Sequence, residues 1–312
     1  MYWITLAREI PKNDVIHIFS ASYFSFILAP TPAVLISKWF GKKTVINYHS
    51  GEAEDHLRRW SRTAIPILMM ADELVVPSRY LVDTFRKFGL QARDIANLID
   101  FGTFRFRDRK RLQPRLLSNR NLYPLYNVAC ILRAFKIIQD KFPGASLKIA
   151  GDGDQREYLS SLARELKLRN VNFVGAVSPE EMSKLYDEAD IFLNASNIDN
   201  LPGSVLDSFA SGLPVVTTCA GGIPYLVTHN ETGIMVPRND AEAMAASAIK
   251  LLESEVIATR LVRNAHRLCD GYNWPAVREK WLNLYCELAA REVDLDNQLE
   301  PLPEPSYSTY LR

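Results

Sequence analysis

From Pro114 onward short apolar runs alternate with helical patterns, and no other feature of the chain restricts its fold as strongly. Strand, helix and strand in succession is how a parallel sheet with crossover helices reads. Arg115–Asn119 predicts the first strand, and Val128, Ile131, Leu132, Phe135 and Ile138 fall on one face of the helix after it. Ala145–Ala150 predicts the next strand. It breaks at Gly151-Asp152-Gly153 into a helix lined by Leu159, Leu162 and Leu166, and Val171–Val174 follows as a third. Ser178-Pro179-Glu180-Glu181 has the form of a capping box with proline at the first helical position, backed by the stripe Met182, Leu185 and Tyr186. Ile191–Asn194 and Pro214–Thr218 predict strands on either side of a helix from Ser204 to Ser211, stopped by Gly212. These units make a full doubly wound α/β domain.

Ahead of it, Val15–Ser20, Thr44–Tyr48 and Glu73–Pro77 predict strands of a smaller α/β unit, with a helix between the first two and another starting near Ser78. The stretch 101–114, rich in Arg and Lys and without an apolar period, predicts a linker. Asp240 predicts an N-cap ahead of Met244, Ala248, Leu251 and Leu252. The chain then reads as helix to about Arg291, and the proline-rich residues beyond it as a mobile tail. A length of 312 residues, at about 100 to 200 per domain, fits two domains rather than one. The expected boundaries are 1–112, 113–270, a helical segment 271–291 and a tail 292–312.

Composition removes several classes of function. With 37 Lys and Arg against 36 Asp and Glu there is no global field to gather nucleic acid, so no nucleic-acid partner is expected. Four cysteines without C-x-x-C spacing give neither a zinc knuckle nor a dithiol redox motif, and they point to a reducing, cytoplasmic compartment. The most apolar stretch, Val15 to Phe40, carries His17, Pro30, Pro32 and Lys38 and does not read as a membrane span. Its part from Phe24 to Phe40 fits a helix buried on the sheet or a weak peripheral association with a membrane.

In an open α/β sheet ligands bind at the carboxyl ends of the strands, so the loops after Asn119, Ala150, Val174, Asn194 and Thr218 are expected to share one rim. The loop after Asn194 runs into a helix whose first turn holds the backbone amides of Gly203, Ser204 and Val205, an end suited to an anion. Asp199 and Asp207 flank that end, where carboxylates can accept hydrogen bonds from sugar hydroxyls. An equally good reading makes Ser204 the helix cap and Asp207 the end of a weak capping box. Arg120 follows the first strand and either neutralises a pyrophosphate through forked hydrogen bonds or stands in solvent. Gly151-Asp152-Gly153 either admits a ligand to the backbone or forms a plain turn, and Ala220-Gly221-Gly222-Ile223-Pro224 has the same two readings. His49 ends a predicted strand and opens the polar loop Ser50–His56, from which it can reach a ligand between domains. His17, between Ile16 and Ile18, reads as a satisfied strand residue. His49 and His56 with Glu52, Glu54 and Asp55 also admit a metal reading, but their spacing matches no known ligand helix.

The segments "VINYHSGE", "ADELVVPSRYLVDTFRKFG", "LKIAGDGDQREYLSSLARELKLRNVNFVGAVSPEEMSKLYDEADIFL", "DNLPGSVLDSFASGLPVVTT" and "AGGIPYLVTHNETGIMVP" together resemble glycosyltransferase family 4, or group 1, from about Val15 to Leu288. The resemblance implies the GT-B fold, two Rossmann-like domains facing across a cleft, with the segment 271–291 returning to the amino-terminal one. It implies transfer of a sugar, with retention of configuration, from a nucleotide-diphosphate sugar bound by the carboxyl domain to a glycan or lipid-linked acceptor. Neither a metal nor a cofactor is implied; a UDP- or GDP-sugar serves as donor substrate. Residue by residue, Asp199 and Asp207 occupy the two ends of the family's E-x7-E element, Asp199 toward the sugar hydroxyls and Asp207 toward the ribose. Gly203, Ser204 and Val205 would give amides to the pyrophosphate and Arg120 its guanidinium. Gly175 to Val177 would form the base pocket, with Gly151, Asn200 and Tyr126 also at the nucleotide sugar, and His49 matches the histidine beside the transferred sugar. In this picture the leaving diphosphate itself takes the acceptor's proton.

This sequence departs from the family pattern in three places. Asp207 stands for a glutamate and Tyr126 for a lysine six residues after the arginine, where a tyrosine hydroxyl can still donate. The chain also starts where the family's second strand would be, so the amino-terminal domain is expected without its first strand and glycine-rich loop, leaving apolar sheet edges. Two other functions fit the same residues: a non-catalytic nucleotide-sugar-binding or scaffold protein of this fold, and a sugar epimerase.

Overall fold

The computed structural model describes residues 2–20, 22–100 and 102–289; the tail expected over 292–312 lies outside them. Among the described residues the strands form two parallel sheets. The first has the order β1-β2-β3-β4, built from β1 (Val15–Ser20), β2 (Lys43–Tyr48), β3 (Glu73–Val76) and the short β4 (Arg93–Asp94). Around it lie α1 (Tyr2–Glu9), α2 (Phe24–Leu28), α3 (Pro30–Trp39), α4 (Ala53–Arg59), α5 (Ser61–Met70) and α6 (Arg79–Lys87). The second sheet has the order β10-β9-β8-β5-β6-β7. Its elements are β5 (Arg115–Asn119), α7 (Val128–Lys141), β6 (Ser146–Ala150), α8 (Arg156–Glu165), β7 (Val171–Gly175), α9 (Pro179–Glu188), β8 (Ile191–Asn194), α10 (Gly203–Ala210), β9 (Val215–Thr218), α11 (Ile223–Leu226) and β10 (Ile234–Val236). The helices α12 (Ala241–Glu253), α13 (Glu255–Leu268) and α14 (Trp274–Ala289) complete the chain.

Alternation along each strand sorts its side chains into two cores, as the pleat requires. In the first sheet Ile46, Tyr48, Leu74 and Val76 join α2 to α6 through Phe26, Val34, Leu57, Leu68, Leu81 and Phe85. Their neighbours Val45 and Val75 face the opposite way, onto Val277 and Leu284 of α14. Helix α14 is also tied to this sheet by the Tyr285 hydroxyl, 2.7 Å from His17 Nδ1, and by Glu287 on Arg93. In the second sheet Leu116, Leu147, Ile149, Leu193 and Val216 meet α7, α8 and α12, while Leu117, Phe192 and Val215 meet α9, α10 and α11. Buried on both faces, β8 and β9 open on the apolar runs Ile191–Leu193 and Val215–Val216, which is why they were legible as strands.

Local signals place several boundaries. Ser178 and Glu181 form the reciprocal capping box at α9, Asp240 accepts from Ala243 N at the start of α12, and Ser78 accepts from Leu81 N at the start of α6. Helix α1 and the short strands β4 and β10 carry weaker signals and lie outside the expected elements. The segment from Phe24 to Phe40 is two helices rather than one, broken where Pro30 opens α3. One face of them is buried through Phe26, Ala33 and Val34, and the other leaves Phe24, Leu28 and Trp39 in solvent. The expected linker is irregular, yet it is pinned to the second unit. Arg109 is buried and donates to the carbonyls of Ala189 (2.9 Å), Tyr186 (2.7 Å) and Ser211 (2.5 Å). Those carbonyls end α9 and α10, where free acceptors and the helix dipoles favour a cation. Asp190, itself buried, pairs with Arg107 and Arg115 beside it.

Candidate functional site

The site is assembled where β5, β8 and β9 of the second sheet end opposite the end of β2 in the first. Two glycine pairs set its floor. Gly222 N donates to Asp199 O at 2.8 Å, and a side-chain carbon would stand 2.1 Å from Asp199 O at Gly221 and 1.8 Å from Asn200 O at Gly222. Only glycine lets these backbones approach so closely. The loop Ala220–Pro224 therefore braces Asp199 and Asn200 from behind. Gly151 and Gly153 do the same for the loop after β5: an added carbon would lie 2.4 Å from Arg120 O and 2.7 Å from Leu122 O. Gly151, with φ +122°, also gives its N–H to Gly175 O at 2.8 Å, so this amide is committed to the fold. Val177, beyond β7, is half-buried against the core under α9 and α10.

On that floor stands Arg120. One guanidinium nitrogen pairs with Asp199 Oδ2 and another lies 3.3 Å from Ser204 Oγ. The Tyr126 ring covers the guanidinium face at 4.1 Å, a cation–π contact in the position where a second cation was expected to be missing. Arg120 Nε is buried without a partner among the described residues. A buried donor without an acceptor is costly, and an anionic ligand is the natural group to satisfy it. Asp199 Oδ1 accepts from Asn200 N at 2.9 Å; burial raises the Asp199 pKa while the Arg120 charge opposes the rise.

Helix α10 starts one residue earlier than expected, at Gly203, and the reading of Ser204 as its cap fails. Pro202 holds the cap position without a side-chain bond, so Ser204 falls inside the first turn with its hydroxyl toward Arg120. Val205 also departs from expectation, since its N–H donates to Pro202 O at 3.0 Å in a tight first turn. The amides of Gly203 and Ser204 are left at the helix end. Tyr186, fully buried, donates its hydroxyl to Ser204 O at 3.0 Å and receives Asn119 Nδ2 at 3.3 Å, which fixes this turn against α9 and β5. Asp207 is mostly enclosed one turn further on. Loss of solvent pushes its carboxyl up to about 7 from the ordinary 3.8, with no cation to oppose the shift.

Across from α10, His49 is exposed at the end of β2, its ring 5.8 Å from that of Phe19, and surrounding protein lowers its pKa. Its loop meets the Asp199 loop through Gly51, where an added carbon would stand 3.5 Å from Asn200 N. His56 does not stand with His49. It is wholly buried in α4, with Nδ1 2.7 Å from the Tyr48 hydroxyl, and burial pushes its pKa down to about 4. Among the described residues no group of three or more His, Cys, Asp or Glu could hold a metal ion. His17 is less satisfied than its strand position implied, because Nε2 is buried without a partner among the described residues.

Three residues at this site had no sequence signal for their role: Asn119, Tyr186 and Ser78. A helix start near the serine was legible, and the serine caps α6, but its hydroxyl also donates to Asn200 Oδ1, a partner 122 residues away.

Residues 103–268 match the family model described as glycosyl transferases group 1. Among curated relatives, the amylovoran biosynthesis glycosyltransferase AmsK of Erwinia amylovora is 28% identical over 229 residues, 69% of this chain and 56% of that protein. The glycogen synthase of Mycobacterium tuberculosis is 27% identical over 281 residues, covering 85% of this chain and 67% of the relative. The chain spans about half the length of the first curated relatives it matches. Among solved structures, Anabaena HepE in complex with UDP-glucose superposes with a TM-score of 0.79 at 15% identity, covering 91% of this chain and 82% of that one. The fold is accordingly the GT-B arrangement of two facing α/β units.

Proposed function

Because the chain belongs to the group 1 glycosyl transferases, we propose that it moves a sugar from a nucleotide-diphosphate sugar to a glycan or lipid-linked acceptor with retention of configuration. The observation that carries this reading is Arg120, with its buried unpartnered Nε beside Ser204 and the amide end of α10. A guanidinium next to a helix N-terminus is able to hold a diphosphate without a metal, which supports the reading, and we extend it to catalysis without a divalent cation. In this assignment Arg120 Nε and the amides of Gly203 and Ser204 take the diphosphate, Asp207 the ribose hydroxyls and Asp199 the hydroxyls of the transferred sugar. His49 stands at the acceptor side of that sugar. Tyr126 holds the guanidinium plane, and Gly175 and Val177 border the base.

The electrostatics support a reaction without a dedicated protein base. Asp199 is tied to Arg120, and Asp207 is enclosed and half protonated near neutrality, so neither is a free carboxylate facing an acceptor hydroxyl. The departing phosphate oxygen is then the group that accepts the hydroxyl proton as the new glycosidic bond forms on the same face of the sugar. A lipid-linked acceptor fits the first unit, whose α1, α2 and α3 expose Trp3, Phe24, Leu28 and Trp39, with Lys42 and Lys43 following α3 in the chain, a composition suited to an interfacial contact. No described helix is long and apolar enough to cross a membrane.

Calorimetric titration with UDP, GDP and ADP, with and without EDTA, tests the donor side. Saturable, EDTA-insensitive binding of one nucleotide supports the reading and names the donor base for transfer assays, whose product anomer reports on retention. A folded sample that binds none of the three overturns it.

A further inference from the structure

Two loops of the first unit converge on one dipeptide of the second, and a helix of the first unit makes a further contact beside them. Gly51 packs against the backbone of Asp199 and Asn200, Ser78 donates to Asn200 Oδ1, and α6 continues along the same seam to α11. There Tyr225 donates its hydroxyl to Asp83 Oδ2 at 3.0 Å, and its ring stands edge-on to Tyr80 at 5.9 Å. Ser78 and Asn200 are both buried, whereas Asp83 and Tyr225 are at the surface. We propose that Ser78 is a positioning residue that acts through Asn200 on Asp199, and that Tyr225 with Asp83 and Tyr80 is the second point of a latch holding the cleft closed.

The physical reason lies in how Asp199 is held. Its carbonyl is fixed by Gly222 N and its carboxylate by Arg120 and Asn200 N, all within the second unit. The Asn200 side chain is the member of this cluster that reaches the other unit, and it does so at the N-cap of α6, where the serine hydroxyl both accepts from Leu81 N and donates outward. Displacing α6 by the length of one hydrogen bond breaks the link, while the contacts of Arg120 and α10 stay intact. Nucleotide affinity and cleft closure are therefore separable, and the latch governs how Asp199 is placed relative to the loop bearing His49. The catalytic half of this inference rests on the proposed transferase reading; the closure half does not.

The test uses Ser78→Gly, because glycine serves nearly as well as serine at a helix cap yet has no hydroxyl to donate, together with Ser78→Thr, which keeps the hydroxyl. Tyr225→Phe removes the second point. UDP affinity by calorimetry should change less than twofold in all three. Small-angle scattering should give the wild type a radius of gyration near the roughly 20 Å of a compact chain of this length, and a larger value for the Ser78→Gly, Tyr225→Phe double variant. In the transfer assay Ser78→Gly should lower kcat by about tenfold or more with the donor KM nearly unchanged, and Ser78→Thr should restore it. Equal scattering curves for wild type and double variant overturn the latch, and an unchanged kcat in Ser78→Gly overturns the positioning role. If the wild type transfers no sugar from any nucleotide donor, the transferase reading fails by itself, and the scattering comparison still decides the latch.

Discussion

Replacing Asp207 with Asn should make the protein more stable in alkaline buffer while it weakens nucleotide binding. The carboxyl is held at about 7 in the folded chain against 3.8 for an ordinary aspartate, because burial removes solvent and no cation replaces it. Between those two values the folded chain keeps a proton that the unfolded chain has lost, so folding takes up a proton and stability falls as pH rises through the window. Fully above it the cost is about 4 kcal/mol, since each tenfold difference in proton affinity is worth about 1.4 kcal/mol. Of this, about 3 kcal/mol is lost between about pH 5 and about pH 8.5. The neighbouring Tyr186 hydroxyl and Cys269 thiol are themselves shifted up, the thiol to about 12, and do not titrate in this range. Urea unfolding followed by circular dichroism at both pH values reads the effect. Tryptophan fluorescence supplies a control, because all five tryptophans, Trp3, Trp39, Trp60, Trp274 and Trp281, lie outside the sheet that carries α10. The wild type should lose about 3 kcal/mol more than Asp207→Asn on going to the higher pH, and the variant should bind UDP at least about tenfold more weakly through the lost ribose bonds. Parallel pH profiles for the two proteins would refute the argument, because the enclosed carboxyl would then not be the group that holds the proton.

Arg120→Ala should destabilise the fold by about 3 kcal/mol, because it strands Asp199 in a site where both side chains are about one-tenth exposed; adding Asp199→Asn should recover most of the melting temperature but none of the nucleotide binding. Gly222→Ala should lower the melting temperature sharply, since its new carbon would overlap Asn200 O. Gly203→Ala, which meets nothing within 4 Å, should be neutral or stabilising by up to about 1 kcal/mol, and equal melting temperatures for the two variants would contradict the bracing role. His56 is held near 4 against the usual 6.5, so the unfolded chain takes up a proton first as pH falls, and stability from this residue is lost between those values, by about 3 kcal/mol in all. His56→Gln should flatten that acid limb in a pH series of melting curves.

The inner strands β8 and β9 of the second sheet were readable because both of their faces are buried, so apolar runs such as Ile191–Leu193 carry the assignment without context. The capping box at Ser178 and the cap at Asp240 were equally plain, since both partners lie within one turn. At the site, Arg120, Asp199 and Ser204 were singled out by their places at strand and helix ends, and the fold does bring them together. What sequence could not carry was direction. Val205 looked like another free amide until the turn at Pro202 claimed it, and His56 looked like a partner for His49 until α4 turned it inward onto Tyr48. Contacts such as Ser78 with Asn200 join residues far apart in the chain and leave no periodic trace.

The glycines behind Asp199 and Arg120 also bear on how such a site can diversify. At Gly221, Gly222, Gly151 and Gly153 the backbones nearly touch, so the floor of the cleft is cast in main chain and admits no side-chain variation without moving the loops it supports. On the proposed reading, selectivity for one donor over another is thereby confined to the groups that stand on that floor, Tyr126, Asp199 and Asp207 among them, and to the opposing wall around His49. A library randomised at those positions should yield altered donor preference in folded proteins, whereas one randomised at the glycines should yield mostly misfolded ones.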